Sequence, residues 1–422
     1  MEIFSPCQAN FSLNFSCRAA GASNSGRGCR GDRERQVERR PPISFTVRNS
    51  AVLFLDRNGA IHVIEPPNKG VPNVGSIPQA VHKSRGKSDM TQDTIKVVVT
   101  TPIDEQILRK IEAIDGRIRV DQISPWVLAE RKGDLSRHED LDLILGQAEV
   151  LYGWIHHFPG QLPERAPRLK WIQTMSAGID PMPEAIRKSR IRIVNASGLH
   201  GTPMGEMVLE MMLMFAKDAP ACFQMKQARQ WKRFRPALLK GQTAGILGLG
   251  AVGGEIARLC KAFGMTVIGI RRFGRSEQPV PNVDRIFPRE QLLKLLAESD
   301  YVVLALPLTE ETRNLIGEKE LRSMKPTAFL INPARGSIVD EGALIRALEE
   351  KWIAGAGLDV FVKEPLPPES RFYDLPNVIF SPHISGELPD YETRATEIFC
   401  ENLRRYLSGE PFLHEIDQEK GY

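Results

Sequence analysis

Two α/β domains in tandem, each built on a doubly wound parallel sheet, are predicted by three features. From Ile95 onward, short apolar strands alternate with segments of helical period, the pattern of a parallel sheet covered on both faces. The alternation starts afresh at Thr243, after a polar, basic connection over 224–240. Gly248, Gly250 and Gly253 stand in G-x-G-x-x-G spacing on a strand-to-helix turn in this second round only. The first glycine permits a tight turn, the second lets backbone approach a pyrophosphate, and the third lets helix and strand pack closely. Ala251 and Val252 open the helix, whose N-terminal N–H groups and dipole favour a bound anion. The expected architecture is therefore a Rossmann-like domain and a flavodoxin-like one, with an interdomain cleft.

Taken in order, residues 1–94 read as a disordered or targeting extension. No acidic residue occurs from Ile3 to Gly31, while serine and arginine recur, as in an organelle transit peptide. A short hairpin around Asn58-Gly59 is expected within 50–63. Strands are predicted at 95–100, 149–152, 169–174 and 191–194, with a helix over 103–114. Helix 204–217 carries a methionine stripe that suits a core or a subunit interface, and Pro220 is expected to end it. The second round places strands at 301–306, 328–331, 354–360 and 378–380, and helices at 289–297, 310–323 and 340–351. An amphipathic helix over 388–407 closes the chain. The predicted division is 95–196 plus 387–422 for substrate and 197–386 for cofactor.

Composition narrows the function classes. Residues 1–94 hold 13 of the 56 Lys+Arg and 8 of the 52 Asp+Glu, leaving 43 and 44 for the remainder. The body is thus close to neutral, which argues against a nucleic-acid partner. No apolar run approaches the roughly 18 residues of a membrane span. Cys7, Cys17, Cys29, Cys222, Cys260 and Cys400 form no C-x-x-C pair, so no metal site and no disulfide framework is expected, and a reducing compartment is the simplest reading. The His156-His157 pair lacks zinc-ligand spacing, and neighbours in extended chain point oppositely.

In open parallel sheets, ligands bind beyond the carboxyl ends of the strands. Three polar groups fall there: Arg335 in NPARGSIVDEG, Glu364 in AGAGLDVFVKEPL, and His383 in NVIFSPHISGE. Converging on one crevice beside a nicotinamide, they would suit hydride transfer to a carbonyl. The histidine would donate the proton, and the carboxylate would raise its pKa and orient it. The arginine would grip a substrate carboxylate with two charge-assisted bonds. Taken singly, each of these residue types is more often a solvated or structural group.

From about Ile95 the chain resembles the D-isomer-specific 2-hydroxyacid dehydrogenases. The resemblance rests on GLGAVGGEIA, LALPLTEETRNLI, INPARGSIVDEGAL, GLDVFVKEPLP and NVIFSPHISGE in that order, with SAGID at 176–180. It implies the catalytic set Arg335, Glu364 and His383. It also implies cofactor contacts at the glycine turn, Leu306, Pro333, Ala334, Asp359 and the 383–386 segment ending at Gly386. Backbone at Ala177 and Gly178 would bind the substrate carboxylate, and Trp154 would lie near the pocket. Where the family commonly has an aspartate for the adenine ribose, this sequence has Arg271 followed by Arg272. Guanidinium groups bind a 2′-phosphate that a carboxylate repels, so NADP(H) is expected over NAD(H).

The expected activity is reduction of a small 2-oxo acid, such as glyoxylate or hydroxypyruvate, to the D-2-hydroxy acid. The absence of an appended regulatory domain before Tyr422 argues against a feedback-regulated phosphoglycerate dehydrogenase. Two other readings share the fold: an NAD(P)-sensing co-repressor or scaffold, and oxidation of a different small anion such as formate or phosphite. A homodimer without membrane partners is expected. The expected compartment is the cytoplasm, or a plastid or mitochondrion if the leader is a transit peptide.

Overall fold

The computed structural model describes residues 94–422, apart from 155–156, 159–160, 180–182, 272–278 and 419–422, together with three strands upstream. The chain divides into two compact units, Met1–Ile77 and Pro78–Tyr422. In the first, β1 (Phe45–Thr46), β2 (Val52–Leu55) and β3 (Ile61–Ile64) form a sheet in that order. β2 and β3 pair antiparallel with Leu55 opposite Ile61, the strands of the predicted hairpin. Its Asn58-Gly59 turn and the acid-free 3–31 segment lie outside the described residues.

The second unit begins with a five-stranded sheet of β4 (Ile95–Val99), β5 (Ile118–Gln122), β6 (Val150–Gly153), β7 (Trp171–Thr174) and β8 (Arg192–Val194). Every pairing is parallel, in the order β5-β4-β6-β7-β8. A sheet covered on both faces needs continuous apolar strands, and Val97, Val98 and Val99 have no exposed surface. Its covering helices are α1 (Glu105–Glu112), α2 (Ser124–Arg131) and α3 (His138–Leu145), with the single turns α4 (Leu162–Arg165) and α5 (Glu184–Arg187). Asp104 caps α1 by accepting the Gln106 N–H at 2.8 Å. β5, α2 and α3 are additional to the elements expected from sequence. β5 is an edge strand whose Arg119 and Asp121 alternate with buried Ile118 and Val120, so its apolar signal is halved.

α6 (Gly201–Ala216) turns Met211 and Met212 inward. Pro220 does not end it. The break falls at Asp218, whose φ of +50° is left-handed, and Pro220 sits in the first turn of a further helix, α7 (Ala219–Gln227). α6 lies close on α8 (Ala251–Ala262) because Gly205 has no side chain: a Cβ there would stand 2.8 Å from Leu259 Cδ1.

The second sheet has seven parallel strands: β9 (Thr243–Leu247), β10 (Thr266–Ile270), β11 (Arg285–Phe287), β12 (Tyr301–Leu304), β13 (Phe329–Asn332), β14 (Gly355–Leu358) and β15 (Val378–Phe380). Their order, β11-β10-β9-β12-β13-β14-β15, reverses direction beside β9, which opens a crevice at the end of that strand. Helices α9 (Leu292–Glu298), α10 (Glu318–Ser323) and α11 (Glu341–Glu349) cover it. The helix expected over 310–323 is only its last turn and a half. Thr309 and Thr312 exchange side-chain bonds with the backbone there. Asn314 (φ +50°) then donates its N–H to Ser337 O and Ile316 bridges Val339, so the segment runs beside 337–339 instead of coiling.

α12 (Tyr391–Ser408) returns to the first sheet. Phe399 is fully buried, stacks on Tyr152 at 4.2 Å and meets Trp171 at 5.6 Å. Burial of such a ring stabilises the fold by about 1.5–3 kcal/mol, and stacking adds about 0.5–1.5. Among the described residues, no helix is long and apolar enough to cross a membrane.

Candidate active site

The glycine turn follows β9, and its three glycines meet different demands. Gly248 has φ +99°, and a Cβ there would stand 2.2 Å from the Ala305 carbonyl oxygen. A Cβ on Gly253 would fall 1.8 Å from Gly248 O. The fold itself requires these two. Gly250 has no atom within 4 Å of its would-be Cβ, so it faces open space at the start of α8. A bare backbone beside open space at a helix N-terminus fits a pyrophosphate, because the first N–H groups of a helix lack intrahelical partners.

Beyond the turn lies a cavity of about 180 Å³ shared by the two sheets. Ala177 and Gly178 line it from the loop after β7, and Val252, Leu306, Ala334 and Arg335 from the second sheet. Ile416 lines it too, held by its N–H donating to Ile193 O at 2.8 Å. Six of the residues expected from sequence thus meet in one hollow. Pro333, next to Ala334 in the chain, is buried.

Arg335 is set by neighbours that sequence reasoning did not single out. Asn332, 1% exposed, donates to Arg335 O at 3.0 Å and accepts the Ala334 N–H at 3.0 Å, which fixes the loop after β13. The guanidinium donates to Ala334 O at 2.8 Å and lies over Gly178, where a Cβ would stand 2.0 Å from Nη2. Gly336 is equally crowded: a Cβ there would fall 2.1 Å from the Phe361 carbonyl carbon. Its absence lets the loop carrying Glu364 lie against the loop carrying Arg335.

Glu364 and His383 form a pair. His383 Nδ1 donates to Glu364 Oε2 at 2.7 Å, while Glu364 Oε1 accepts the Phe361 N–H at 2.9 Å. With its proton committed at Nδ1, His383 has Nε2 left for chemistry. The bond to Glu364 raises the imidazole above its ordinary value, against burial and the nearby Arg335 charge. Burial pushes the Glu364 carboxyl up, but the bonds from His383 and the Phe361 amide outweigh it and hold that group low. His383 has φ +55°, a left-handed backbone that costs about 1–2 kcal/mol outside glycine.

Asp359 sustains that conformation. Fully buried, it accepts from Ser381 Oγ (2.6 Å), Ile384 N (2.9 Å) and Ser385 N (3.0 Å), so its carboxylate serves the 381–385 turn. Gly386 packs on the His200 ring. Trp154 is not among the cavity's lining residues, and its ring stacks on Tyr391 at 5.0 Å.

A second, smaller slot of about 60 Å³ opens at the ends of β9 and β10 between Leu247, Ile270, Leu292, Leu306 and Leu315. Arg289 and Glu311, paired at 2.6 Å, border it. Arg271 follows Ile270 directly and is half-buried, whereas Arg272 lies outside the described residues. Among the described residues, no cluster of His, Cys, Asp and Glu could hold a metal ion.

The NAD-binding domain of the D-isomer-specific 2-hydroxyacid dehydrogenases matches residues 209–385. The chain is 32% identical to a glyoxylate reductase of Korarchaeum cryptofilum over 338 residues, 77% of this chain and 96% of that protein. It is 38% identical to the Thermococcus gammatolerans glyoxylate reductase over 262 residues, 60% of this chain and 77% of that one. Among solved structures it resembles an NADPH-dependent glyoxylate/hydroxypyruvate reductase of Sinorhizobium meliloti in complex with NADP and sulfate. That likeness has TM-score 0.66 and 26% identity, covering 78% of this chain and all of that one. A Xanthobacter autotrophicus family member in complex with NADPH and MES gives 0.65 and 28% over the same shares. The co-repressor reading draws no support from these relatives. Joined to the glycine turn and the shared cavity, these likenesses show that the chain belongs to the D-isomer-specific 2-hydroxyacid dehydrogenase family, as an NAD(P)-dependent oxidoreductase that moves a hydride between its nicotinamide cofactor and a small 2-oxo acid.

Proposed function

We propose that the acid is of the glyoxylate or hydroxypyruvate type, reduced to the D-2-hydroxy acid with NADP(H) preferred over NAD(H). The observation carrying this reading is the Arg335 guanidinium lying on Gly178, in a cavity of about 180 Å³ lined from both sheets. Residues 95–196 with 387–422 form the substrate side, and 197–386 the cofactor side. The glycine turn, Ala251, Val252, Leu306, Pro333, Ala334, Asp359 and Gly386 hold the cofactor, which supplies a hydride to the carbonyl carbon when bound. Arg335 and the Ala177 and Gly178 amides hold the carboxylate. Protonated His383 delivers its Nε2 proton to the carbonyl oxygen, and Glu364 keeps the ring oriented and stabilises its positive charge. Closure of the two lobes excludes water.

Arg271 and Arg272 are assigned to the 2′-phosphate. The NADP and NADPH complexes of the Sinorhizobium and Xanthobacter relatives favour this, as does a position just past the end of β10. A panel of 2-oxo acids run with both cofactors tests the reading. NADPH is expected to give the higher kcat/KM by about tenfold or more, one charge-assisted bond to phosphate being worth about 1.5–3 kcal/mol. Arg271→Asp should narrow that gap, and a clear NADH preference in the unaltered enzyme would sink the assignment. Sedimentation of the same preparation reads the assembly. A homodimer is favoured by α7, which has no buried residue, and by the 95% exposed Trp231 beyond it. The enzyme is assigned to the cytoplasm, or to a plastid or mitochondrion if the leader acts as a transit peptide.

The pH profile follows from the His383–Glu364 bond. Reduction needs the protonated imidazole, so kcat/KM for reduction should be level at low pH and fall as pH rises through the elevated His383 value. Oxidation should show the opposite trend. Glu364→Gln removes the charge that raises the imidazole, so the fall should move to lower pH. An unmoved midpoint would show that another group titrates.

A further inference from the structure

His200 and Tyr391 lie outside the cavity lining, yet they are joined in a buried chain of bonds that ends on the loop carrying Ala177 and Gly178. Tyr391 Oη donates to Met175 O at 2.8 Å. Its only proton is thereby used, so the 2.6 Å contact with His200 Nε2 has the imidazole donating to the tyrosine oxygen. His200 Nδ1 is then the bare nitrogen, and it is buried without a partner among the described residues. Burial, with the Arg335 charge nearby, pushes the imidazole down to about 4, which keeps it in this single-proton form at neutral pH.

Met175 O is one of four successive carbonyls bonded in this way. Ser176 O accepts from Thr174 Oγ1 and Ala196 N, Ala177 O from Asn195 Nδ2, and Gly178 O from Ser176 Oγ. Each carbonyl from 175 to 178 is tied inside the protein. Three of the four are held from residues 174–196, within the first sheet's own chain. Met175 O alone is held from elsewhere, by the first residue of α12. Tyr391 is itself gripped from several sides, with Trp154 stacked on its ring at 5.0 Å and His200 against it at 5.5 Å. His200 is the residue from which α6 departs, and Gly386 closes over its Cδ2, where a Cβ would stand 2.9 Å away. The chain passes between the two sheets at these two places, just before α6 and just before α12.

We propose that His200 and Tyr391 are positioning residues for the 2-oxo acid. Through Met175 O they set the 175–178 loop at the distance from Arg335 that a carboxylate requires. The proposal rests on the assignment of Arg335, Ala177 and Gly178 to that carboxylate. For Tyr391 it specifies an effect on the acid and none on the cofactor, since its hydroxyl ends on Met175 O; His200 also touches Gly386, so the cofactor comparison is read from Tyr391→Phe.

The test is steady-state kinetics with a glyoxylate-type acid on Tyr391→Phe, His200→Leu, His200→Gln and the Phe/Leu double variant. Phenylalanine keeps the ring on Trp154 and removes only the hydroxyl. Tyr391→Phe should raise KM for the acid about tenfold, the scale of one lost buried hydrogen bond, with KM for NADPH unchanged. His200→Leu should shift it in the same direction. His200→Gln, whose amide can donate where Nε2 did, should restore most of the loss. The double variant should be no worse than Tyr391→Phe, because both changes cut one chain of bonds. The proposal is overturned if Tyr391→Phe lowers only the melting temperature, or raises both KM values alike. Arg335→Lys run alongside separates two failures. If it raises KM for the acid and Tyr391→Phe does not, the positioning role alone falls; if neither does, the carboxylate assignment falls as well.

Discussion

Replacing His383 with alanine is expected to lower kcat for 2-oxo acid reduction by about 10²–10⁴, the usual contribution of a positioned proton donor. Cofactor affinity should change little, because the His383 side chain bonds to Glu364 and to no residue of the glycine turn. The size of the loss depends on what remains. With Arg335 assigned to the carboxylate and untouched by this change, KM for the acid should move less than kcat, the signature of an interaction made in the transition state. The turn should survive, since Asp359 bonds the backbone at Ile384 and Ser385 and the hydroxyl of Ser381 whatever stands at 383. Rapid-mixing single turnovers with fluorescence titration of NADPH separate the two effects. A variant with near-normal turnover would remove His383 from the mechanism.

The second large effect concerns the Arg335 guanidinium and what it rests on. Arg335→Lys should cut kcat/KM by about 10²-fold or more, because an ammonium cannot make the two-pronged contact. Gly178→Ala should do comparable harm although it removes no functional group. Its new methyl would occupy the place of Nη2, now 2.0 Å from that position, so the guanidinium must leave. Its melting temperature should stay close to that of the parent protein, because an arginine side chain can swing away into the cavity at little expense to the core. Full activity in Gly178→Ala would mean that Arg335 does not work from the position described.

Much of this site was legible in the sequence because it obeys local rules. The glycine spacing, the strand at 378–380 and the polar groups just past β13, β14 and β15 each announce themselves within a dozen residues. Other parts act only through space. Gly336 reads as a member of the PARG run, and nothing nearby shows that Phe361 lies on it. Asp359 holds the 381–385 turn through partners 22 to 26 positions away, which no local pattern shows. His200 and Tyr391 are 191 positions apart and joined by one bond. The 310–323 helix was over-read for the same reason, since its apolar spacing is helical but its backbone partners lie at 337–338. The charge on Arg271 is legible, while its use depends on a ligand.

The return of α12 to the first sheet has a consequence for synthesis. Tyr152 and Trp171 need Phe399, and Val97 and Val99 share their cluster with Ala395 and Leu403. That face of the sheet, covered in part by Leu108 and Ile111 of α1, therefore stays incomplete until residue 403 has left the ribosome, some two hundred residues after β8 is made. The seven-stranded sheet, whose strands and covering helices all lie between 201 and 380, has its own core ready sooner. Domains usually mature from the N-terminus onward as a chain emerges. Here the order is inverted: the half that is translated first is the half that is finished last.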